Sequence, residues 1–235
     1  MSISENIVRV RQAIGAACER AARSEHDVTL MAVSKTQPAA ALQEAYAAGI
    51  RLFGENKVQE FQQKAPALNM PGARFALIGH LQSNKAAKAA ELFHAVDTVD
   101  SVKIAERLNT AALALNKTLA ILIEVKLSSE ESKHGMAPGA VSEILHAAAH
   151  LPGLSIRGLM TVPPFFDDPE DARPYFRQLR ELRNSLAATH PQMPLPELSM
   201  GMSHDFAVAI EEGSTCVRIG TAIFGARDDP AARPA

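Results

Sequence analysis

The chemistry this chain could do begins at a lysine. The segment "LMAVSKTQP" (residues 30–38) is an apolar, strand-like run that ends on Lys35. An ammonium at a strand end can bury its stem and keep its charge in water, or be aimed into a pocket as an amine that forms a Schiff base. A second cation, Arg218, lies inside another apolar run, "CVRIGTAIFG". Between them in sequence, "SMGMSHDFAVAIEEG" offers Gly201 for a tight turn and Ser203 at the N-cap position of the next helix, whose start presents free N–H groups to an anion. Gly220 allows close backbone approach and Thr221 adds a hydroxyl. Taken singly these are ordinary turn glycines and a helix cap. Jointly with Lys35 they point to a phosphorylated carbonyl compound.

Such residues act together only if the fold brings them together. Short apolar runs suited to buried parallel strands occur at 28–34, 51–55, 74–79, 94–99, 119–125, 155–160, 196–201 and 216–220. Helical stretches alternate with them at 38–48, 57–65, 84–92, 101–115, 138–149, 169–188 and 204–212. Eight strands in alternation predict an α/β fold, a single (β/α)8 TIM-type barrel occupying residues 1–235 as one domain. Only seven helices lie between strands, so an extra amphipathic N-terminal helix over 4–23, with Ile7, Val8, Val10, Ile14 and Ala17 towards one side, is expected to complete the cover. Closure pairs strand one with strand eight. At a two-residue side-chain period, Met31, Val33 and Lys35 share one face, and Cys216, Arg218 and Gly220 share another. If both faces point inward, the amine and the guanidinium flank one site.

The best-known ligand of that description is pyridoxal 5′-phosphate (PLP). Lys35 would form the Schiff base, Ser203, Gly220 and Thr221 would hold the phosphate, and Arg218 would face the pyridine nitrogen. An arginine stays protonated and donates to an unprotonated ring nitrogen, so the ring would be a weakened electron sink.

The segments "AVSKTQP", "FGENKVQE", "IGHLQSNK", "SKHGMAP", "RGLMTVP", "LSMGMSHDFAVAI" and "STCVRIGTAIFG", spread over residues 32–225, resemble the pyridoxal phosphate homeostasis protein family, itself similar to the barrel domain of alanine racemase. The resemblance implies the same roles for Lys35, Arg218, Ser203, Gly220 and Thr221, and adds Asn56, in "GEN", as a pocket-lining residue. It implies a protein that binds and delivers PLP, maintaining vitamin B6 and amino-acid balance without established turnover, with PLP-requiring apo-enzymes as partners. There are two departures from the family pattern: Phe75 and Ala76 stand where an aromatic–His pair is often found, and Lys57 follows "GEN" where Tyr is common. Racemases add a C-terminal β domain bearing a tyrosine base. Here the only tyrosines, Tyr46 and Tyr175, fall in predicted helices, and no machinery for two-face proton exchange is evident. The alternatives are a racemase- or lyase-like PLP enzyme of low activity, a sugar-phosphate aldolase using Lys35 with Glu55 or Glu124, or a protein-binding module for which PLP is structural.

Composition narrows the partners. A net charge of −2 and a pI near 6.5 favour neither nucleic acid nor an anionic membrane. Cys18 and Cys216 read as reduced packing residues. With no spanning segment or targeting signal, a cytoplasmic monomer is expected. Metal ligation is not expected: His146 and His150 share a helix face but lack a third ligand. The consecutive Ser203, His204 and Asp205 cannot stack into a hydrolase triad. His80 is equally a pocket or a structural residue. The polar loop 127–138, with Lys133 as a possible second amine for cofactor transfer, suits a flap over the site, or a merely solvated connection.

Overall fold

Apolar runs of three to seven residues, flanked by turns and helices, bury both faces when laid parallel and closed into a cylinder. In the computed structural model of the protein, which describes residues 1–128, 130 and 134–225, they form β1 (Thr29–Val33), β2 (Leu52–Glu55), β3 (Arg74–Leu77), β4 (Ala95–Val99), β5 (Leu119–Glu124), β6 (Leu154–Met160), β7 (Glu197–Ser199) and β8 (Cys216–Ile219). Each pairs in parallel with its neighbours in sequence, and β1 pairs with β8, so the barrel closes as expected.

After β1 to β7 follow α2 (Ala39–Ala47), α3 (Val58–Lys64), α4 (Ala86–Leu92), α5 (Val102–Ala114), α6 (Val141–Ala147), α7 (Arg173–Thr189) and α8 (Phe206–Glu211). Among the described residues, the single turn α9 (Thr221–Phe224) is the one helix after β8. The missing cover comes from α1 (Ile3–Arg20), which packs against α2, α8 and α9. Its start is fixed by a capping box in which Ser2 Oγ accepts from the Glu5 N–H and Glu5 accepts from the Ser2 N–H. Ile7, Val10, Ile14, Ala17 and Cys18 face the core, whereas Val8 is 52% exposed, contrary to expectation. Val8 stands one residue, about 100° of helix turn, off the i, i+3, i+7 stripe.

Side-chain parity sorts the strands into two worlds. Outward residues build the main core between barrel and helices, where Phe53, Phe61, Phe75 and Phe93 pack ring on ring at centroid distances of 4.6 to 5.4 Å. Inward residues form a separate small cluster of Met31, Ala76 and Cys216. Both cysteines are free and buried, and burial pushes the Cys216 thiol up to about 12. Among the described residues no helix is long and apolar enough to cross a membrane.

Candidate functional site at the carboxyl-terminal mouth

Strand register decides what reaches the mouth. Met31 lies opposite Arg218, so continuing the pair brings Val33 beside Gly220. A Cβ on Gly220 would indeed stand 3.6 Å from Val33 Cβ. Lys35 follows one side-chain period above Val33, just past the end of β1, and is half-buried. The predicted inward set of β1 and β8 is therefore the one that converges.

The backbone around Lys35 is held from α3. Ser34 takes the opposite face and donates its hydroxyl to Glu55 Oε1 at 2.7 Å. Lys64 Nζ donates to the same carboxylate oxygen at 2.9 Å and to the Ser34 carbonyl at 3.0 Å. Burial pushes the Glu55 carboxyl up, with the Ser34 hydroxyl and the Lys64 ammonium opposing it, and its Oε2 makes no hydrogen bond. On the far side of Lys35, Thr36 adopts φ 65°, an uncommon choice for a β-branched residue. Its N–H donates to Glu60 Oε1 at 2.6 Å, a contact that fixes the turn. Glu55 thus points away from the barrel interior, which removes it as an acid–base partner for Lys35.

Arg218 is 4% exposed. It donates through Nη1 to Ser199 Oγ at 2.7 Å and through Nη2 to the Thr161 carbonyl at 2.8 Å. Burial lowers its proton affinity, while Cys216, Asp97, Glu124 and Asp205 raise it. Guanidinium protons are retained under any ordinary condition, so the group is a fixed donor inside the barrel.

Ser203 does not cap α8 as expected. Asp205 occupies the N-cap, and its Oδ1 accepts from the Met202 N–H at 2.6 Å. That local bond competes with helix formation, so α8 starts at Phe206. Ser203 Oγ instead accepts from the Gly220 N–H at 3.2 Å and from the Ala222 N–H at 3.3 Å. Two backbone donors and a hydroxyl thus converge in the turn after β8, beside the exposed Thr221. Gly201 makes the approach possible: its φ is +95°, and a Cβ there would stand 2.6 Å from Ala209 Cβ. Asn56 is half-buried at the end of β2. Its carbonyl lies so close to Gly79 that a Cβ on that glycine would stand 2.2 Å away.

The rim carries further side chains. His80 Nδ1 lies 3.3 Å from Asp100 Oδ2, and its ring stacks on that of His134 at 3.9 Å and 13°. The three potential ligand atoms fall within 4.8 Å of one another. Parallel stacked imidazoles, however, direct their in-plane lone pairs side by side, so the geometry favours stacking over a shared ion. Met136 is tied to the end of β5 through its N–H to the Glu124 carbonyl at 2.8 Å and through its carbonyl, which accepts from the Lys126 N–H at 2.9 Å. Lys133 lies outside the described residues.

Other expectations resolve plainly. His146 and His150 are exposed. Ser203, His204 and Asp205 serve three separate partners, His204 Nε2 bonding the Asp167 carbonyl at 3.0 Å. Tyr46 donates to the Pro71 carbonyl from α2, and Tyr175 packs on Phe166 from α7. Of the positions that depart from the family pattern, Phe75 joins the aromatic core, Lys57 is exposed, and Ala76 lies inside the barrel. Residues not foreseen include Ser199 and Thr161, which orient Arg218, and the Glu55–Lys64 pair behind Ser34. Asp97 also passed unnoticed, although an acid inside the apolar run "HAVDTV" was a readable signal.

The family model described as alanine racemase, N-terminal domain, matches residues 9–228. A pyridoxal phosphate homeostasis protein of Aquifex aeolicus (strain VF5) is 43% identical over 227 residues, covering 97% of this chain and 99% of that one. One of Escherichia coli (strain K12) is 44% identical over 233 residues, covering 96% and 97%. The solved structure of PipY of Synechococcus elongatus PCC7942 with PLP bound superposes with a TM-score of 0.86 at 39% identity, covering 95% of this chain and 100% of that one. With its Lys35 to Arg218 mouth built on that fold, the chain belongs to the alanine racemase N-terminal domain family and, within it, to the pyridoxal phosphate homeostasis proteins.

Proposed function

We propose that this protein binds PLP at the carboxyl-terminal mouth of its barrel and serves intracellular vitamin B6 and amino-acid homeostasis, passing the cofactor to PLP-requiring apo-enzymes without turnover of its own. The observation that carries this is the convergence of the half-buried Lys35 with the buried Arg218 on paired strands, next to two backbone donors that meet at Ser203 Oγ. That donor set suits a phosphate oxygen, so the residues present fit the group. The PLP-bound relative, PipY, supports the choice of ligand.

When bound, the cofactor supplies an aldehyde that an amine captures and a ring that withdraws electrons from the captured group. Lys35 Nζ is the amine, held in place because Ser34 and Thr36 are fixed from α3. Arg218, keeping its own protons, would donate to the pyridine nitrogen rather than protonate it. Ser203, Gly220 and Thr221 would hold the phosphate, and Asn56 would line the ring. Absence of turnover is supported by the weakened ring and by both tyrosines being engaged elsewhere. The protein acts as a cytoplasmic monomer in this proposal.

Borohydride reduction of the PLP-loaded protein, followed by peptide mass mapping, tests it. A phosphopyridoxyl mass on the Lys35 peptide, absent in Lys35→Ala, is expected, together with transfer of PLP from unreduced protein to an apo-enzyme. A protein that takes up no PLP, or carries it on another lysine, overturns the assignment. Racemisation or elimination of amino acids by the loaded protein would replace the carrier role with the enzyme alternative.

A further inference from the structure

The opposite end of the barrel is open. A cavity of about 660 Å³ enters at the starts of the strands and reaches up to Met31, Ala76, Asp97 and Cys216. This volume is within the range of small-molecule sites. It exists because inward positions that bulky branched residues usually fill are Ala76, Ala95 and Ala120. Met31, Leu52, Ala76, Ala95 and Leu122 make its inner wall apolar while charged residues ring its entrance, and among the described residues one charge of each sign is left without a hydrogen bond or ion pair.

The negative one is Asp97, on β4. It is 4% exposed, lines the cavity and makes no hydrogen bond or ion pair among the described residues. Burial pushes its carboxyl up to about 7, against the pull of Arg218 on β8 and Arg74 on β3 and with a push from Glu197 on β7. The positive one is Arg74, exposed at the mouth and likewise without a hydrogen bond or ion pair among the described residues. The other arginines of the mouth are engaged: Arg157 with Glu197 at 3.0 Å, and Arg23 with the Ile210 carbonyl at 2.7 Å. Ala76 pairs with Ala95, so Arg74 starts one inward step below that level and Asp97 one step above. Roughly 13 Å of strand separates their Cα atoms.

We infer that this amino-terminal cavity is a second ligand site, taking a small aminocarboxylate with an apolar skeleton whose ammonium pairs with Asp97 and whose carboxylate pairs with Arg74. Such a molecule satisfies both unpaired charges and covers the apolar wall between them. A buried carboxylate left without a partner is costly, and an ammonium supplies the missing one. The site opens at the end of the barrel opposite the PLP mouth.

Calorimetric titration with 6-aminohexanoate, hexylamine and hexanoate tests the site. The protein is first loaded with PLP and reduced, so that no amine exchanges at Lys35. 6-Aminohexanoate is expected to bind saturably and at least about tenfold more tightly than either single-headed probe. Asp97→Asn and Arg74→Gln are each expected to weaken it by about tenfold or more. Arg74→Gln, at an exposed position, makes the same comparison independently of the buried Asp97. No saturable binding by any probe up to about 10 mM overturns the inference. Equal affinity for all three probes, or unchanged binding in the folded variants, overturns it as well.

Discussion

Asp97→Asn should stabilise the protein, and by an amount that grows with pH. Asp97 is buried without a hydrogen bond among the described residues, and its carboxyl is raised from 3.8 to about 7. Between those values the unfolded chain has released this proton while the folded chain keeps it. Folding stability must therefore fall as pH rises through that window, the reverse of the behaviour of a salt-bridged carboxylate. At about 1.4 kcal/mol per pH unit, the full rise corresponds to about 4 kcal/mol lost above pH 7 relative to strongly acidic solution. Asparagine has nearly the same shape and cannot ionise, so it removes this loss. Its advantage over the native residue should grow by about 3 kcal/mol between about pH 5 and about pH 8.

Urea denaturation of both proteins at the two pH values reads the difference directly. Comparing variant with wild type cancels the opposing contribution of Glu170, Glu211 and Glu212, whose carboxyls are held below the usual range by arginine partners. An Asp97→Asn protein destabilised equally at both pH values would refute the reasoning, as would a carbon-13 titration placing the Asp97 midpoint near 4.

Three further substitutions probe the PLP mouth. Lys64→Met removes the cation from a pair whose carboxylate is fully buried; the variant should lose about 3–5 kcal/mol in urea unfolding, and unchanged stability would show Glu55 to be solvated. Gly79→Ala drives a methyl into the Asn56 carbonyl at 2.2 Å, so about 1–3 kcal/mol of destabilisation and a weaker PLP signal are expected; a native melting curve would contradict the close approach. Arg218→Leu leaves the Ser199 hydroxyl and the Thr161 carbonyl without their donor and should weaken PLP binding, followed by visible absorption, by about tenfold or more; undiminished affinity would remove Arg218 from the site.

The strands were legible because a parallel barrel strand is buried on both faces and so reads as an unbroken apolar run. Lys35 and Arg218 were legible for a related reason: closure pairs their strands and a two-residue period gives each a definite face, which left open only whether those faces point inward. Ser203 was misassigned because two hydrogen-bonding side chains compete for one turn, and the outcome depends on which backbone N–H each can reach. Asp205 captures Met202, leaving Ser203 to the turn after β8. The Glu55–Lys64–Ser34 network was hidden for another reason. Outward polar residues at a strand end look like solvated ones until a helix is laid over them, and α3 supplies both Lys64 and Glu60 only in three dimensions.

Parity also explains why the interior of this barrel is polar at one level and hollow at another. Stacked layers of inward residues usually fill a barrel of this size. Here Arg218 bonds Ser199 and Thr161 inside the barrel, and this buried guanidinium is tolerated because a hydroxyl, a carbonyl and the electrostatic pull of Asp97, Glu124 and Asp205 favour its charge. Below them the layer is built on alanines, which cannot seal the tube. A large side chain at Ala76 would close the cavity from that side. The choice of alanine on β3 therefore decides what can reach Asp97 from below.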